Sequence, residues 1–212
     1  SESRGLGDVY KRQIIDKATD LNIEDMIKEE VMVLTITHNQ YIKRTSVSTY
    51  KSQRRGGRGV QGQTAREEDF TEHLFVENTH SYILFFTDKG KCFWLKVYDI
   101  PEGGRAAKGR AIVNLIGCEP DEKVSAFIGV KQDQFHDDHF VVMATEKGIV
   151  KKTKLSAYSN PRKKGIYAVE IREGDSLIEA RVSNGENDIL LGTTNGKSIR
   201  FSEEQILSLI HI

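Results

Sequence analysis

Only two cysteines, Cys92 and Cys118, and three prolines occur in 212 residues. Two thiols give no disulfide framework, so the fold must rest on a packed core. The few prolines exclude a proline-rich spacer. No run of 18 apolar residues and no secretory apolar segment occurs, which excludes a membrane-spanning helix and points to the cytoplasm. Tryptophan is nearly absent: Trp94 stands alone and is followed by leucine, so the Trp-Asp signature of one large class of propeller repeats is missing. Net charge is missing too, because 31 Lys and Arg balance 31 Asp and Glu. What remains is a hydrophobic fraction of 38%, sufficient for one large or two small folded domains.

The zero sum conceals an alternation along the chain. Residues 41–66 carry seven cationic side chains and no acid, 67–88 six acids and no Lys or Arg, and 89–110 six bases against two acids. Residues 119–146 then hold seven acids and two lysines, 147–164 seven bases and no acid, and 170–188 six acids and two arginines. If each basic and acidic pair belongs to one structural repeat, the basic blocks can gather on one part of the surface and create a local field.

A second periodicity keeps step with the first. A strand, a Thr-x-x-Gly turn and another strand recur at Ile83–Thr87 with Asp88-Lys89-Gly90, at Val141–Thr145 with Glu146-Lys147-Gly148, and at Ile189–Thr193 with Thr194-Asn195-Gly196. An earlier copy, Val33–Thr37, leads into Tyr41-Ile42-Lys43-Arg44, with Gln40 in the glycine position. The threonines at 37, 87, 145 and 193 are 50, 58 and 48 residues apart, a spacing that predicts propeller blades or a similar array. Runs rich in Val, Ile, Leu, Phe and Thr are strands, and the turn glycine supplies the positive φ of a tight hairpin. After each of the first three hairpins comes a cationic glycine, Arg58-Gly59, Lys108-Gly109 or Lys164-Gly165. In the second and third repeats a short apolar strand follows, Ala111–Ile116 or Ile166–Ile171, then an acidic turn, then a further strand, Val124–Val130 or Leu177–Val182. The expectation is an all-β array of four-stranded blades, about three and a half of them present.

The residues after the first hairpin read Gln53-Arg54-Arg55-Gly56-Gly57-Arg58-Gly59. Glycines permit close approach of backbone to a partner, and planar guanidinium forks suit phosphate oxygens. In this setting the chain resembles the C-terminal domain family of the DNA gyrase A protein. The heptapeptide is similar to that family's GyrA box, with Arg58 where lysine is commoner. The likeness runs from about Ile14 to Ile206, and includes Leu84-Phe85-Phe86-Thr87-Asp88-Lys89-Gly90 and Ile100–Arg110.

The resemblance implies a β-pinwheel whose blades exchange strands and around whose basic rim double-stranded DNA wraps. Six blades are usual in the family, so a partial, open array is expected here. Residues 1–13 and 207–212 have no counterpart in the repeats and read as cloning or library sequence outside the fold. Residues 14–30 read as a linker or strap, and 31–206 as the partial pinwheel, with blades at about 31–81, 82–130, 139–184 and 187–206. The expected DNA contacts are the heptapeptide first, then Lys43, Arg44 and Lys51, then Arg105, Lys108 and Arg110, and then Lys151, Lys152, Lys154, Arg162, Lys163 and Lys164. By the same resemblance the fragment is non-catalytic and sets the hand of a wrap in an ATP-dependent DNA topoisomerase. It needs no cofactor of its own, ATP and Mg2+ belonging to the whole enzyme. The gyrase B protein and a second gyrase A protein would be partners through parts not in this chain.

Competing readings are weaker. The paralogous topoisomerase IV domain shares the blades, but its box is usually degenerate. A protein-interaction propeller lacks its signatures here, and one Arg-Gly-Gly copy is weak evidence for RNA binding. Gly192–Ser198 has three residues between its glycines where a phosphate-binding loop has four, which predicts a hairpin turn. His136-Asp137-Asp138-His139 reads as a polar loop rather than a metal site. Phe85, Phe86, Phe93, Trp94 and Phe127 are expected in the core, with both cysteines buried.

Overall fold

The computed structural model describes residues 23–49, 69–104, 106–206 and 209–211. The first hairpin is β1 (Val31–Thr37) and β2 (Tyr41–Ser46), followed later by β3 (Thr71–Asn78). The second is β4 (Tyr82–Thr87) and β5 (Lys91–Lys96), followed by β6 (Arg110–Ala111), a helical turn at Val113–Ile116 and β7 (Val124–Val130). The third has the same strand order with β8 (Phe140–Thr145), β9 (Ile149–Lys154), β10 (Ile166–Tyr167) and β11 (Leu177–Ser183). The fourth has β12 (Asp188–Gly192), β13 (Ser198–Ser202) and β14 (Leu209–His211).

Threonine recurs at each turn because of its hydroxyl. The Oγ1 atoms of Thr37, Thr87, Thr145 and Thr193 accept the amides of Tyr41, Lys91, Ile149 and Lys197 at 3.1–3.2 Å. Their carbonyls accept the amide three residues on, at 2.8–3.0 Å. The residue making that second bond has φ of +77°, +84° and +75° at Gly90, Gly148 and Gly196, and +60° at Gln40. A side chain there costs roughly 1–2 kcal/mol. Gln40 offsets it: its amide donates to the Val124 carbonyl at 2.8 Å and accepts the Val124 amide at 3.1 Å, two bonds worth about 1 kcal/mol each. The first turn is thereby tied to the second blade.

Each four-stranded sheet is completed by the following repeat. The strand orders are β3-β1-β2-β6, β7-β4-β5-β10 and β11-β8-β9-β14, while among the described residues β12 and β13 pair only with each other. The chain thus leaves β5, crosses to lay β6 on β2, and returns as β7; from β9 it lays β10 on β5 and returns as β11. These donated strands are shorter than the sequence suggests. Only Arg110–Ala111 and Ile166–Tyr167 are extended, because the backbone must turn back at once. The helical turn at Val113–Ile116 does this in one case, and paired bonds from Ala168 and Val169 to the Gly90 carbonyl in the other. The 207–212 stretch expected outside the fold likewise contributes β14, paired with Ile149–Lys151 of β9. β7 lies against β11, and Glu77 of β3 reaches Gly129 of β7. The third strands therefore gather at the inner edge, and the donated strands mark the outer edge.

Burial follows from this stacking. Residues 83–87 of β4 are all buried, Ile83 and Phe85 against the first blade and Leu84 and Phe86 against the third. That two-sided burial explains an apolar run without alternation. Phe93 is buried as expected, and Trp94 and Phe127 are half-buried at the edges of the two clusters. Cys92 is buried, whereas Cys118 is only half-buried. The Gly192–Ser198 stretch is a hairpin turn, and no group of three potential metal ligands exists among the described residues. Residues 23–30 strap the β3–β4 turn: Thr79 and Glu30 exchange bonds at 3.0 and 3.1 Å, and Glu24 holds Lys96 at 2.7 Å.

Two substitutions test these joints. A Cβ at Gly109, where φ is +83°, would lie 2.4 Å from the Ile42 carbonyl oxygen, so Gly109→Ala should lose more than about 1 kcal/mol in urea unfolding. Gly104→Ala, with open space around it, should be neutral. Burial raises the pKa of Glu77 despite the attraction of Lys131. A raised folded pKa favours the protonated state, so stability is lost as pH climbs through it. Glu77→Gln should therefore match the wild-type melting temperature below about pH 4 and exceed it at neutral pH.

Candidate nucleic-acid interface

The crossovers that feed the outer strands are where the cationic glycines lie. Gly109 and Gly165 have φ of +83° and +67°, and a Cβ on either would stand 2.4 or 2.8 Å from a carbonyl of the preceding blade, Ile42 or Cys92. Only glycine lets the chain pass so close, and the cationic residues beside it face outward. Lys108, Arg110, Arg162, Lys163 and Lys164 are all exposed. Among the described residues, Arg110, Arg162, Lys163 and Lys164 find no ion-pair or side-chain hydrogen-bond partner, and the Lys108 ammonium lies 3.8 Å over the Tyr41 ring. Successive blades thus present available cations from the same structural element.

Other expected contacts turn inward. Lys43 is 4% exposed; its ammonium donates to the carbonyls of Gly104 at 3.1 Å and Ala107 at 2.8 Å, and burial lowers its pKa. Arg44 donates to the Ile100 carbonyl at 2.7 Å and lies 3.5 Å from Glu102. Lys151 donates to the Ala168 carbonyl at 2.7 Å, and Lys152 reaches the carbonyl of buried Glu203 at 3.4 Å. Lys154 is exposed but paired with Asp137 at 2.9 Å. Lys43, Arg44 and Lys152 thus brace the following blade, and Lys151 the crossover of its own repeat. The fourth residue of each second strand, Arg44, Trp94 or Lys152, donates to a carbonyl in or beside the short 3-10 turn of the following blade, Trp94 to Tyr158 at 2.7 Å.

Sequence reasoning grouped neighbours that a strand must separate. Lys43 and Arg44, like Lys151 and Lys152, point to opposite sheet faces because side chains alternate; that signal could have separated them. Gln40 and Trp94, which join blades, carried no such signal. The heptapeptide Gln53–Gly59, Lys51 and Arg105 lie outside the described residues. Carboxylates of the acidic turns are occupied by hairpin lysines: Asp121 pairs with Lys89, Glu122 with Lys91 at 2.6 Å, and Asp175 accepts the Lys147 amide at 2.9 Å.

Lys43→Met should lower the melting temperature by several degrees, since it leaves two carbonyls unpaired at roughly 1–3 kcal/mol each. Lys163→Met should leave the melting temperature unchanged.

A family model described as the DNA gyrase C-terminal domain, beta-propeller, matches residues 32–76, 81–130, 139–184 and 187–209. The DNA gyrase A protein of Clostridium acetobutylicum is 47% identical over 203 residues, covering 96% of this chain and 24% of that protein. Its counterpart in Halalkalibacterium halodurans is 48% identical over 183 residues, 86% of this chain and 22% of that protein. The chain thus spans about a quarter of the length of these relatives. Among solved structures, the C-terminal domain of DNA topoisomerase IV superposes with a TM-score of 0.69 at 26% identity, covering 85% of this chain and 54% of that one. The DNA gyrase A C-terminal domain superposes with a TM-score of 0.61 at 20% identity, covering 83% and 56%. The family model covers most of the chain, and the chain belongs to the DNA gyrase C-terminal domain family.

Proposed function

We propose that this chain binds duplex DNA along its outer edge and bends it, as the part of a gyrase A protein that fixes the hand of the wrap. The observation that carries this reading is the recurrence of available cations on the crossovers of successive blades, at Arg110 and again at Arg162, Lys163 and Lys164. Bending a duplex by 40–90° over 20–30 base pairs costs roughly 1–6 kcal/mol, so the contacts must exceed that sum. Cations supply it by releasing counterions from phosphates, with little dependence on base sequence. No acid, base or nucleophile is needed for this task. In the whole enzyme, a wrap of fixed hand presents a second DNA segment for passage so that negative supercoils are introduced. Cleavage, ATP hydrolysis and Mg2+ belong to other parts of gyrase A and to gyrase B. Within the family, the intact heptapeptide Gln53–Gly59 favours this role over that of the corresponding topoisomerase IV domain.

A salt titration tests the reading. Replacing Arg54, Arg55 and Arg58 by alanine should weaken duplex binding and flatten the slope of log K against log salt by about 0.9 for each contact removed. In an intact enzyme the same substitutions should abolish negative supercoiling and leave relaxation. Duplex affinity equal to that of the wild type would overturn the assignment of the heptapeptide.

A further inference from the structure

Tyr167 closes β10, the outermost strand of the second sheet, and is 74% exposed. Its backbone is fixed, because Ile166 and Tyr167 face Cys92 and Lys91 in the ladder and the next two amides donate to the Gly90 carbonyl at 2.8 and 3.2 Å. A ring on a rigid backbone loses little conformational freedom on contact and offers a large apolar area with a polar tip. Just before it in the chain stand the exposed cations Arg162, Lys163 and Lys164. The Lys91 ammonium, 5.8 Å from the ring centroid, is itself held by Glu122 at 2.6 Å, so the charge beside the ring is balanced.

The preceding joint carries the same pair with the strands exchanged. There Tyr41 lies on β2 opposite Ala111 of β6, and Lys108 of the crossover covers its ring at 3.8 Å. Both joints therefore present one tyrosine and one lysine where the donated strand meets its host. A core function does not account for Tyr167, since its side chain stands outside both apolar clusters.

We infer that Tyr167 is a non-ionic contact to duplex DNA, its ring packing on a deoxyribose and its hydroxyl donating to a phosphate beside the crossover cations. This rests on the reading of the outer edge as a DNA track. The two kinds of contact differ in their response to salt: a cation releases counterions on binding a phosphate, whereas a neutral ring does not. Tyrosine hydroxyls are among the groups that position a protein on the backbone without reading sequence.

Tyrosine nitration by tetranitromethane, mapped by mass spectrometry on the intact chain with and without a duplex, tests the inference. Tyr167 should react in the free protein and be protected by duplex at low salt, with protection lost at high salt. Tyr158, 1% exposed, reports any unfolding. In parallel, Tyr167→Ala should weaken duplex binding by about fivefold at every salt concentration with an unchanged slope, whereas Lys163→Ala should reduce the slope by about 0.9. Bound duplex with Tyr167 nitrated at the free rate, or Tyr167→Ala binding as the wild type does, overturns the inference alone. A chain that binds no duplex at any salt overturns the DNA-track reading along with it.

Discussion

An unpaired strand edge governs this architecture. The second strand of each of the first three hairpins, β2, β5 or β9, has a free side, and a row of backbone amides and carbonyls left there would invite pairing with another chain. The fold satisfies it with a segment from the next repeat. β12 and β13, which have no such donor among the described residues, show the contrast: their side chains are largely exposed, whereas β4 between two neighbours is buried on both faces.

From that constraint follows the association of joint and charge. The crossover that supplies the missing strand must run over the outside of the preceding blade, squeeze past a carbonyl at a glycine, and return. Lys108 and Arg110 on either side of Gly109, and Lys164 before Gly165, are exposed, whereas Ile166 after Gly165 packs against the core. Positive groups therefore recur on the crossovers at the outer edge, and inward-turned amines, Lys43 and Lys151, pin these crossovers from beneath. Lys43 and Lys151 illustrate the division: they share the charge of the outer residues but bond to carbonyls within or just beyond the loops that carry them.

The repeat was legible because its signals are local. Four threonines, each bonding an amide four residues on, and a left-handed position three residues after each, leave a mark in the sequence that strand length and apolar runs confirm. Even Gln40, which breaks the pattern, left the turn intact, because its amide compensates through the backbone of Val124, a partner 84 residues away and invisible to local reading. Strand exchange entered through resemblance, and the extent of the donated strands was overestimated, since two paired residues followed by a sharp return resemble a longer apolar strand on paper. Among the cations, exposed and bracing residues share one letter code and one block of charge. Only the alternation of side chains along β2 and β9 distinguishes them, together with contacts that the tertiary fold creates.

The brevity of β6 and β10 has a mechanical consequence. On the proposed DNA track, the recoil of a bent duplex held at the crossovers would fall on ladders only two residues long. Those ladders alone would peel. The ammonium groups of Lys43 and Lys151, anchored in backbone oxygens, act as rivets that spread such a load into the body of the neighbouring blade.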